Sequence, residues 1–489
     1  MTEKRGSFSG KLGFVMAAAG SAVGLGNIWR FPYLAAEHGG GIFLLVYLVL
    51  VLTFGYALMK AEIALGRKTG LSVIGAFKKL NKRWSFLGIL AAIVPIVILP
   101  YYSVIGGWVC KYFATFVSGG MEQAAQPSFF GDFISQPFEP LGWFLLFLGL
   151  TALAVLLGVD KGVEKVSKIM MPVLIVLAIG IAIYSLTLPG AGDGLSYYLV
   201  PDFSQFSATT VLAAMGQMFY SMSLAMGIMI TYGSYMKKDV NLESSVKQIE
   251  FFDTGIAFLA GVMVIVPIFS LGNMDQIKPG PGLMFQSLPM VFNNMGTVGN
   301  YVGTLFFVLV MFAALTSSIS LMETVVSIFR DKFGWGRKVT CGVVLAICLV
   351  LGVPSSLGNG IWSGFQILPG QDFLTFCDFM TNSVLMPIVA FLMCIFVGYI
   401  IKPKTLIEEA RIGMAEKHIK LYEGTNPVRR FFNSAHITLS RVSAPISHFR
   451  REPMFSAMIR YIAPVCIVLI LLFSVLSAFD LLKYIGLSV

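Results

Sequence analysis

Polar side chains and glycines interrupt a long apolar stretch near the N-terminus, AAAGSAVGLGNIWRFPY at residues 17–33. Three glycines fall within seven residues, and Ser21, Asn27 and Arg30 lie beside them. Glycine is a poor helix former, and an arginine in hydrocarbon is costly. An unwound backbone here could offer carbonyl oxygens to a cation and N–H groups to an anion. For this stretch alone, close helix packing through the G-x-x-x-G of the first two glycines is an equally weighted alternative.

A second interrupted stretch lies at residues 216–235, GQMFYSMSLAMGIMITYGSY. Gln217, Ser221, Ser223 and Gly227 break its apolar run near the middle. Irregular backbone at membrane depth is tolerated only where it is buried or lines a cavity. Two such stretches in one chain therefore favour a broken-helix site over simple packing.

Both interrupted stretches lie within long apolar runs. The chain has 489 residues, of which 56% are hydrophobic and 12% are charged, whereas a soluble globular protein is about one quarter charged. A spanning helix needs ~20 mostly apolar residues. Eleven runs qualify or nearly do, and we number them α1 to α11. They begin near residues 11, 41, 86, 142, 166, 207, 248, 299, 339, 372 and 457. The sequence thus predicts an all-α polytopic membrane protein with a single domain over residues 1–489.

Basic residues alternate between loops and predict the orientation. Lysines and arginines cluster at the N-terminus and after α2, α4, α6 and α8. The other loops, near 118–141, 187–206, 274–298 and 355–371, contain a single basic residue, Lys278. Because basic loops stay in the cytoplasm, we expect the N-terminus inside and the C-terminus outside a plasma (bacterial inner) membrane. The net charge of +10 then reflects topology and gives little support for a nucleic-acid partner.

Other chemistries find little support. The six cysteines, nearly all within apolar runs, suggest neither a disulfide framework nor a C-x-x-C metal pair. The four histidines avoid the middle of every run, and no G-x-x-x-x-G-K-[ST] suggests direct drive by ATP. An intramembrane aspartyl protease would need Asp253 and Asp378 as a facing pair, but neither lies in a G-x-G-D motif. We therefore expect no enzymatic activity.

The two interrupted helices occupy corresponding positions, since α1 opens the first five runs and α6 the next five. This arrangement is typical of an inverted-repeat transporter, with its ligand site between α1 and α6 near the midplane. We predict a first repeat at residues 11–187 and a second at 207–402. A basic cytoplasmic loop at 403–455, on the anionic inner leaflet or simply solvated, and α11 at 456–482 would follow.

The motif GSAVGLGNIWRFPY closely resembles the first-helix signature of the neurotransmitter:sodium symporter family, whose bacterial members have the LeuT fold. Similar motifs follow in the right order: GGGIFLLVY in α2, PYYSVIGGW in α3, KGVEKVSKIMMP at α5, AALTSSIS in α8 and FCDFMTN in α10. The resemblance covers roughly residues 5–400, and eleven helices are typical of a bacterial subgroup. It implies a 5+5 inverted repeat with unwound α1 and α6, one additional C-terminal helix, and sodium-driven amino-acid uptake by alternating access.

Two sodium ions are implied by this resemblance. Ala313, Thr316 and Ser317 fall at i, i+3 and i+4, on one face of α8. Their carbonyl and hydroxyls are hard oxygen ligands, and with the carbonyls of Gly20 and Val23 they match the second sodium site of the family. The alternative is that both hydroxyls bond back to their own helix.

The first sodium site of the family also uses the carboxylate of the substrate, which couples substrate binding to the ion. Its protein ligands would be Ala22, Asn27, Ser221 and Asp253. Relatives usually have asparagine at the position of Asp253, and many, especially animal ones, bind chloride beside this site. The Asp253 carboxylate could supply that charge, so we expect no chloride, and it could take up a proton once sodium leaves. An aspartate held in a polar helix contact is the alternative.

The implied substrate is a small zwitterionic amino acid. Its carboxylate would accept N–H groups at the positive end of a half-helix, and its amine would meet carbonyls and a serine hydroxyl. The side-chain pocket would be apolar or aromatic, and since a buried unpaired charge is costly, we expect neutral apolar or aromatic L-amino acids. Ordinary core packing is the alternative for any single pocket residue. The predicted contacts are Ala22, Leu25, Gly26, Ile98, Tyr102, Tyr220, Ser221, Ser223, Met226 and Leu321.

Gates are implied on both sides of the site. Arg30 and Asp378 match the outer pair of the family, and Arg5 and Asp331 match the inner pair, with Tyr235 nearby. An exposed ion pair contributes only ~0–1 kcal/mol, which suits a latch that must reopen. A solvated surface charge is the alternative for Arg5.

The chain departs from the family pattern in two further places. Ala225 stands where glycine is common, and Glu323 replaces a common glutamine near the inner gate. Three other functions stay open: a channel, an amino-acid-binding membrane sensor, and a transporter of another small zwitterion. The sequence leaves the preferred amino acid, the stoichiometry and the oligomeric state undetermined.

Overall fold

The computed structural model describes residues 6–271, 280–368, 371–413 and 452–478, and helices dominate these ranges. Arg5, most of the basic loop and the predicted end of α11 lie outside the described residues. Each of the eleven predicted runs corresponds to a helix or to a pair of half-helices. The bounds are α1a Lys11–Ala22, α1b Gly26–Glu37, α2 Gly41–Thr69, α3 Ser85–Val117, α4 Glu139–Leu156, α5 Val159–Leu186, α6a Ala208–Ser221, α6b Ile228–Tyr235, α7 Leu242–Leu271, α8 Thr297–Phe333, α9 Arg337–Leu357, α10 Phe373–Ile400 and α11 Glu452–Leu476.

Membrane dimensions account for most of these lengths. Within the described ranges, nine helices are long and apolar enough to cross a bilayer, and the α1 halves pass the same criterion together. The halves of α6 are only 14 and 8 residues long, so neither alone could span the hydrocarbon. α11 begins at Glu452, four residues before the predicted start at 456.

Shorter helices connect the spans. Val73–Leu80 has one apolar face, which it buries against α3. Ala191–Leu199 packs against α7, and Pro403–Arg411 packs against α2. The latter helix continues the chain from α10, so it ties α10 to the part of α2 that follows Tyr56.

The break in α1 lies at residues 23–25, and the two halves diverge by 52°. The Oδ1 atom of Asn27 accepts a hydrogen bond from the Gly24 N–H at 3.1 Å, so a side chain replaces a helical carbonyl at the break. A Cβ atom on Gly24 would lie 2.7 Å from the Oγ of Ser317. The absence of a side chain therefore lets α8 approach the unwound backbone.

The break in α6 spans residues 222–227, and three of these residues have a left-handed backbone conformation. Ser223, Ala225 and Gly227 have φ angles of 53°, 61° and 72°. A left-handed conformation costs an L-residue other than glycine ~1–2 kcal/mol. Ala225, which stands where glycine is common in the family, thus adopts the left-handed conformation for which glycine is suited. The Ala225 N–H donates to the Glu62 carboxylate at 2.7 Å, which holds the strained backbone in place.

The broken helices are surrounded by unbroken ones. α8 packs along α3, α6b packs on α2, and α1a packs on α5, α7 and α8. Polar side chains that are almost fully buried gather where these helices meet the breaks; they include Asn27, Gln217, Asp253, Thr316 and Glu62. Because polar groups inside a membrane protein are costly, they mark the functional centre of the fold.

Candidate functional site

A cavity lies between the two breaks, with about 360 Å³ of space that includes open solvent. All ten residues predicted as substrate contacts line it. Asn27 and Ser317, which were predicted as sodium ligands, also reach its wall. Sequence reasoning missed the lining residues Ser21, Gly24 and Ile228, although the first two lie inside the quoted α1 motif.

One end of the cavity is formed by the start of α1b. The Leu25 N–H donates to the Tyr102 hydroxyl at 3.4 Å, and Gln217 donates to the Gly26 carbonyl at 2.8 Å. The first N–H groups of a helix have no partners within that helix, and its dipole is positive at this end. This end of the cavity therefore suits a carboxylate.

A second polar part of the cavity lies where the α6 break meets Ser21 of α1a. Ser223 donates its hydroxyl to the Ser21 carbonyl at 3.0 Å, and the two hydroxyl oxygens lie 3.4 Å apart. Most of the other lining residues are aliphatic or aromatic, and none of the described residues that line the cavity is charged. The cavity is thus polar at both backbone breaks and apolar where a side chain would lie.

Oxygen atoms cluster where α8 meets the C-terminal end of α1a. The Ser317 Oγ lies 3.4 Å from the carbonyl oxygens of both Gly20 and Val23, and 3.1 Å from that of Ser21. Carbonyls at the end of a helix lack partners and carry the negative end of its dipole. The Thr316 hydroxyl donates to the Ala313 carbonyl at 3.1 Å, so the back-bonding alternative applies to that hydroxyl but not to Ser317. These neutral hard oxygens suit a sodium ion.

We expect Ser317→Ala to raise the sodium concentration for half-maximal uptake about tenfold, because one hydroxyl ligand is removed at ~1.4 kcal/mol per decade. Ser318→Ala is the matched control. The Ser318 hydroxyl lies on another face of α8, 2.9 Å from that of Thr151. Sodium titrations of uptake by both purified variants measure the effect. An unchanged sodium response in the first variant would contradict this ligand assignment.

A second oxygen cluster surrounds Asp253 in α7, which is fully buried. Asn27 donates its Nδ2 to the carboxylate at 2.7 Å and to the Asp253 carbonyl at 3.2 Å. Ser221 donates to the other carboxylate oxygen at 3.3 Å, and its Oγ lies 2.8 Å from the Tyr47 hydroxyl. All these partners are neutral, so a cation or a proton would offset the buried charge. Ala22 belongs to the adjoining cavity wall.

Two contacts were not predicted from the sequence: that of Tyr47 with Ser221, and that of Glu62 with the α6 break. Tyr47 falls inside the quoted α2 motif, but only the fold brings it to Ser221. Glu62 is completely buried and braces the α6 break through the Ala225 N–H. A glutamate within an apolar run was the available signal, since such residues are functional by default.

The two predicted outer gate residues, Arg30 and Asp378, are not in direct contact, and an aromatic ring lies beside Arg30. The Arg30 guanidinium lies over the Tyr220 ring, 5.4 Å from its centroid. Asp378 accepts a hydrogen bond from Asn382 at 2.6 Å and interacts electrostatically with Arg30. Tyr220 also lines the cavity, so Arg30 lies over a residue of the cavity wall.

The residues predicted for the inner gate belong to a network that sequence reasoning anticipated only in part. Tyr235 donates its hydroxyl to Glu323 at 2.8 Å, and Glu323 forms an ion pair with Arg337 of α9. Asp331 accepts a hydrogen bond from the Ser72 N–H at 2.7 Å. Arg337 was missed, because nothing in the sequence relates the start of α9 to α8. The predicted partner of Asp331, Arg5, lies outside the described residues.

Comparison with known proteins agrees with this architecture. The model of the sodium:neurotransmitter symporter family matches residues 5–122 and 139–425. The uncharacterized sodium-dependent transporter YhdH of Bacillus subtilis is 37% identical over 427 residues, which are 84% of this chain and 91% of that protein. An uncharacterized sodium-dependent transporter of Methanocaldococcus jannaschii is 35% identical over 409 residues, 80% of each chain.

A solved structure shows that the similarity includes the three-dimensional fold. MhsT in complex with L-phenylalanine superimposes with a TM-score of 0.81 at 36% identity, covering 96% of this chain and 100% of that one. This match to a LeuT-fold transporter confirms the predicted fold and the multi-pass membrane architecture. The named relatives support the use of sodium. The chain belongs to the sodium:neurotransmitter symporter family.

Proposed function

We propose that the chain imports neutral apolar or aromatic L-amino acids together with two sodium ions by alternating access. The observation that carries this proposal is the cavity between the two broken helices, which all ten predicted substrate contacts line. Its carboxylate-binding end, second polar part and uncharged apolar walls match the three parts of such a zwitterion. The L-phenylalanine complex of MhsT supports an amino acid as the ligand.

The selectivity of the site among amino acids would follow from the cost of removing water from a charged substrate side chain. A charged side chain among Ile98, Met226 and Leu321 would lose its hydration without gaining a partner, which is unfavourable. Tyr102 and Tyr220 add aromatic surface, and Met226 can adapt to ligands of different shape. The site would thus accept several neutral side chains and reject acidic and basic ones.

Chloride independence is the second part of the proposal. Two sodium ions around a neutral zwitterion leave excess positive charge, which chloride would otherwise balance. The Asp253 carboxylate, bonded to Asn27 and Ser221, lies where it would supply a negative charge beside the first ion.

The proposed topology rests on charge. An N-terminus inside and a C-terminus outside the plasma (bacterial inner) membrane follow from the basic loops. The repeats at 11–187 and 207–402, the cytoplasmic loop at 403–455 and a C-terminal α11 remain predictions of the sequence. Each repeat would begin with one of the two broken helices.

Uptake into proteoliposomes should require an inward sodium gradient. Two sodium ions entering with one zwitterion move two charges, so ~100 mV supplies about 4.6 kcal/mol. This corresponds to more than three decades of substrate accumulation at ~1.4 kcal/mol per decade. Labelled neutral amino acids, with and without potassium in place of sodium, provide the measurement.

Equally fast uptake in potassium would contradict the proposal. Binding without accumulation would indicate a sensor instead. Counterflow of labelled substrate separates a carrier, which shows it, from a channel, which does not.

A further inference from the structure

A second cavity, separate from the transport site, opens between α2, α7 and the start of α11. It has about 1200 Å³ of open space, and most of its lining is apolar. Leu52 and Phe251 on its rim are 62% and 74% exposed, so they face the lipid. We name this cavity the lateral groove; it is lined by Leu48, Leu52, Tyr56, Lys247, Glu250, Phe251, Thr254, Gly255, Phe258 and Met454.

The lateral groove contains polar atoms that have no hydrogen-bond partner within the described ranges. Glu250 is 94% buried, and its Oε1 atom has no hydrogen-bond partner among the described residues. One turn further along α7, the buried Thr254 hydroxyl oxygen also lacks a partner in the described part of the chain. A buried carboxylate oxygen without a donor is unfavourable, so Glu250 points to a ligand that brings a hydrogen-bond donor, and the Thr254 hydroxyl can donate to an acceptor of the same ligand.

Charge and depth identify the class of ligand. Lys247 lies one turn before Glu250 and interacts with it electrostatically, so the groove presents a cation and then an anion along α7. α7 has 30 residues and is about 45 Å long, whereas the hydrocarbon core is ~30 Å thick. If α7 extends equally beyond both faces, Glu250, eight residues from its first residue, lies about 5 Å below the boundary.

We propose that the lateral groove binds a phospholipid whose head group carries a primary ammonium. The ammonium donates to Glu250, the phosphate lies near Lys247, and an acyl chain covers Leu52 and Phe258. Thr254 donates to an ester carbonyl of the same lipid. By the proposed orientation, this lipid comes from the cytoplasmic leaflet.

The test compares two lipids that differ only in the ammonium. The full chain is purified from an equimolar mixture of phosphatidylethanolamine and phosphatidylcholine, and retained lipids are counted by native mass spectrometry. Choline has no N–H donors, so we expect about tenfold preference for the ethanolamine lipid, as one charge-assisted hydrogen bond provides. Equal retention of the two lipids by the wild type overturns the proposal.

Variants of Glu250 test whether this residue causes the preference for the ethanolamine lipid. Glu250→Gln should lower it to about twofold, whereas Glu250→Asp, which keeps the charge, should retain most of it. Glu408→Gln is the control, because Glu408 is exposed and distant in sequence, on the Pro403–Arg411 helix. If Glu250→Gln does not fold, Thr254→Val should reduce total retention about threefold.

An unchanged preference in a folded Glu250→Gln, or unchanged retention in Thr254→Val, overturns the proposal. A dimeric mass without bound lipid also overturns it, since a second copy would then cover the groove. Sodium-dependent uptake is measured separately, so failure of the transport proposal would leave the lipid counts interpretable.

Discussion

Asp253→Asn should reduce uptake in chloride-free medium at least a hundredfold, and chloride should restore part of the loss. The variant keeps the size of the side chain and one acceptor for Asn27, but removes the negative charge beside the proposed first sodium ion. A hundredfold loss corresponds to about 2.8 kcal/mol at ~1.4 kcal/mol per decade. Uptake in gluconate and in chloride, for wild type and variant, measures the effect.

Asp193→Asn is the matched control, because Asp193 is exposed on the Ala191–Leu199 helix. It should transport at the wild-type rate in both media. A strict chloride requirement in the wild type would exclude Asp253 as the compensating charge. Undiminished chloride-free uptake by a folded Asp253→Asn would favour the alternative of an aspartate held only by a polar helix contact.

Gly26→Ala should weaken amino-acid binding about a hundredfold. The added Cβ would lie 2.5 Å from Cδ1 of the Tyr220 ring, far inside van der Waals contact. The ring would have to move, and since it lines the cavity and lies under Arg30, both the binding site and the outer gate would be disturbed. Equilibrium binding of a labelled neutral amino acid at saturating sodium provides the measurement.

Gly216→Ala controls for the change of glycine to alanine near the site. Gly216 lies in α6a, and a Cβ there would meet nothing within 4 Å. Alanine inside a helix is favoured over glycine by ~0.5–1 kcal/mol, so this variant should be at least as stable as the wild type and bind normally. Affinity of Gly26→Ala within threefold of the wild-type value would show that Tyr220 does not close on the ligand.

Some features could be predicted because their signal is local. The glycines and polar residues that interrupt α1 and α6 are visible as exceptions within apolar runs, and the spacing of Thr316 and Ser317 places them on one helix turn. The break in α6 was predicted for the same reason. Residue types also indicated the chemistry, since hydroxyls and carbonyls are ligands for hard cations. Comparison with family motifs then supplied the partners of these residues.

Other features depend on contacts between residues far apart in the chain. Tyr47 reaches Ser221 across 174 positions, Glu62 reaches Ala225 across 163, and no local pattern indicates such pairs. Arg337 joins Glu323 only because α9 turns back along α8.

The sequence by itself determined the apolar runs, the two broken helices and the oxygen-bearing residues, because apolar length, helix propensity and side-chain chemistry are properties of short segments. Only the tertiary structure decided that Ala225 adopts a left-handed conformation and that Arg30 lies over Tyr220 instead of pairing with Asp378. It also left the Oε1 atom of Glu250 without a hydrogen-bond partner in the described part of the chain. Each of these outcomes depends on which helices pack together, and packing is settled by the whole fold.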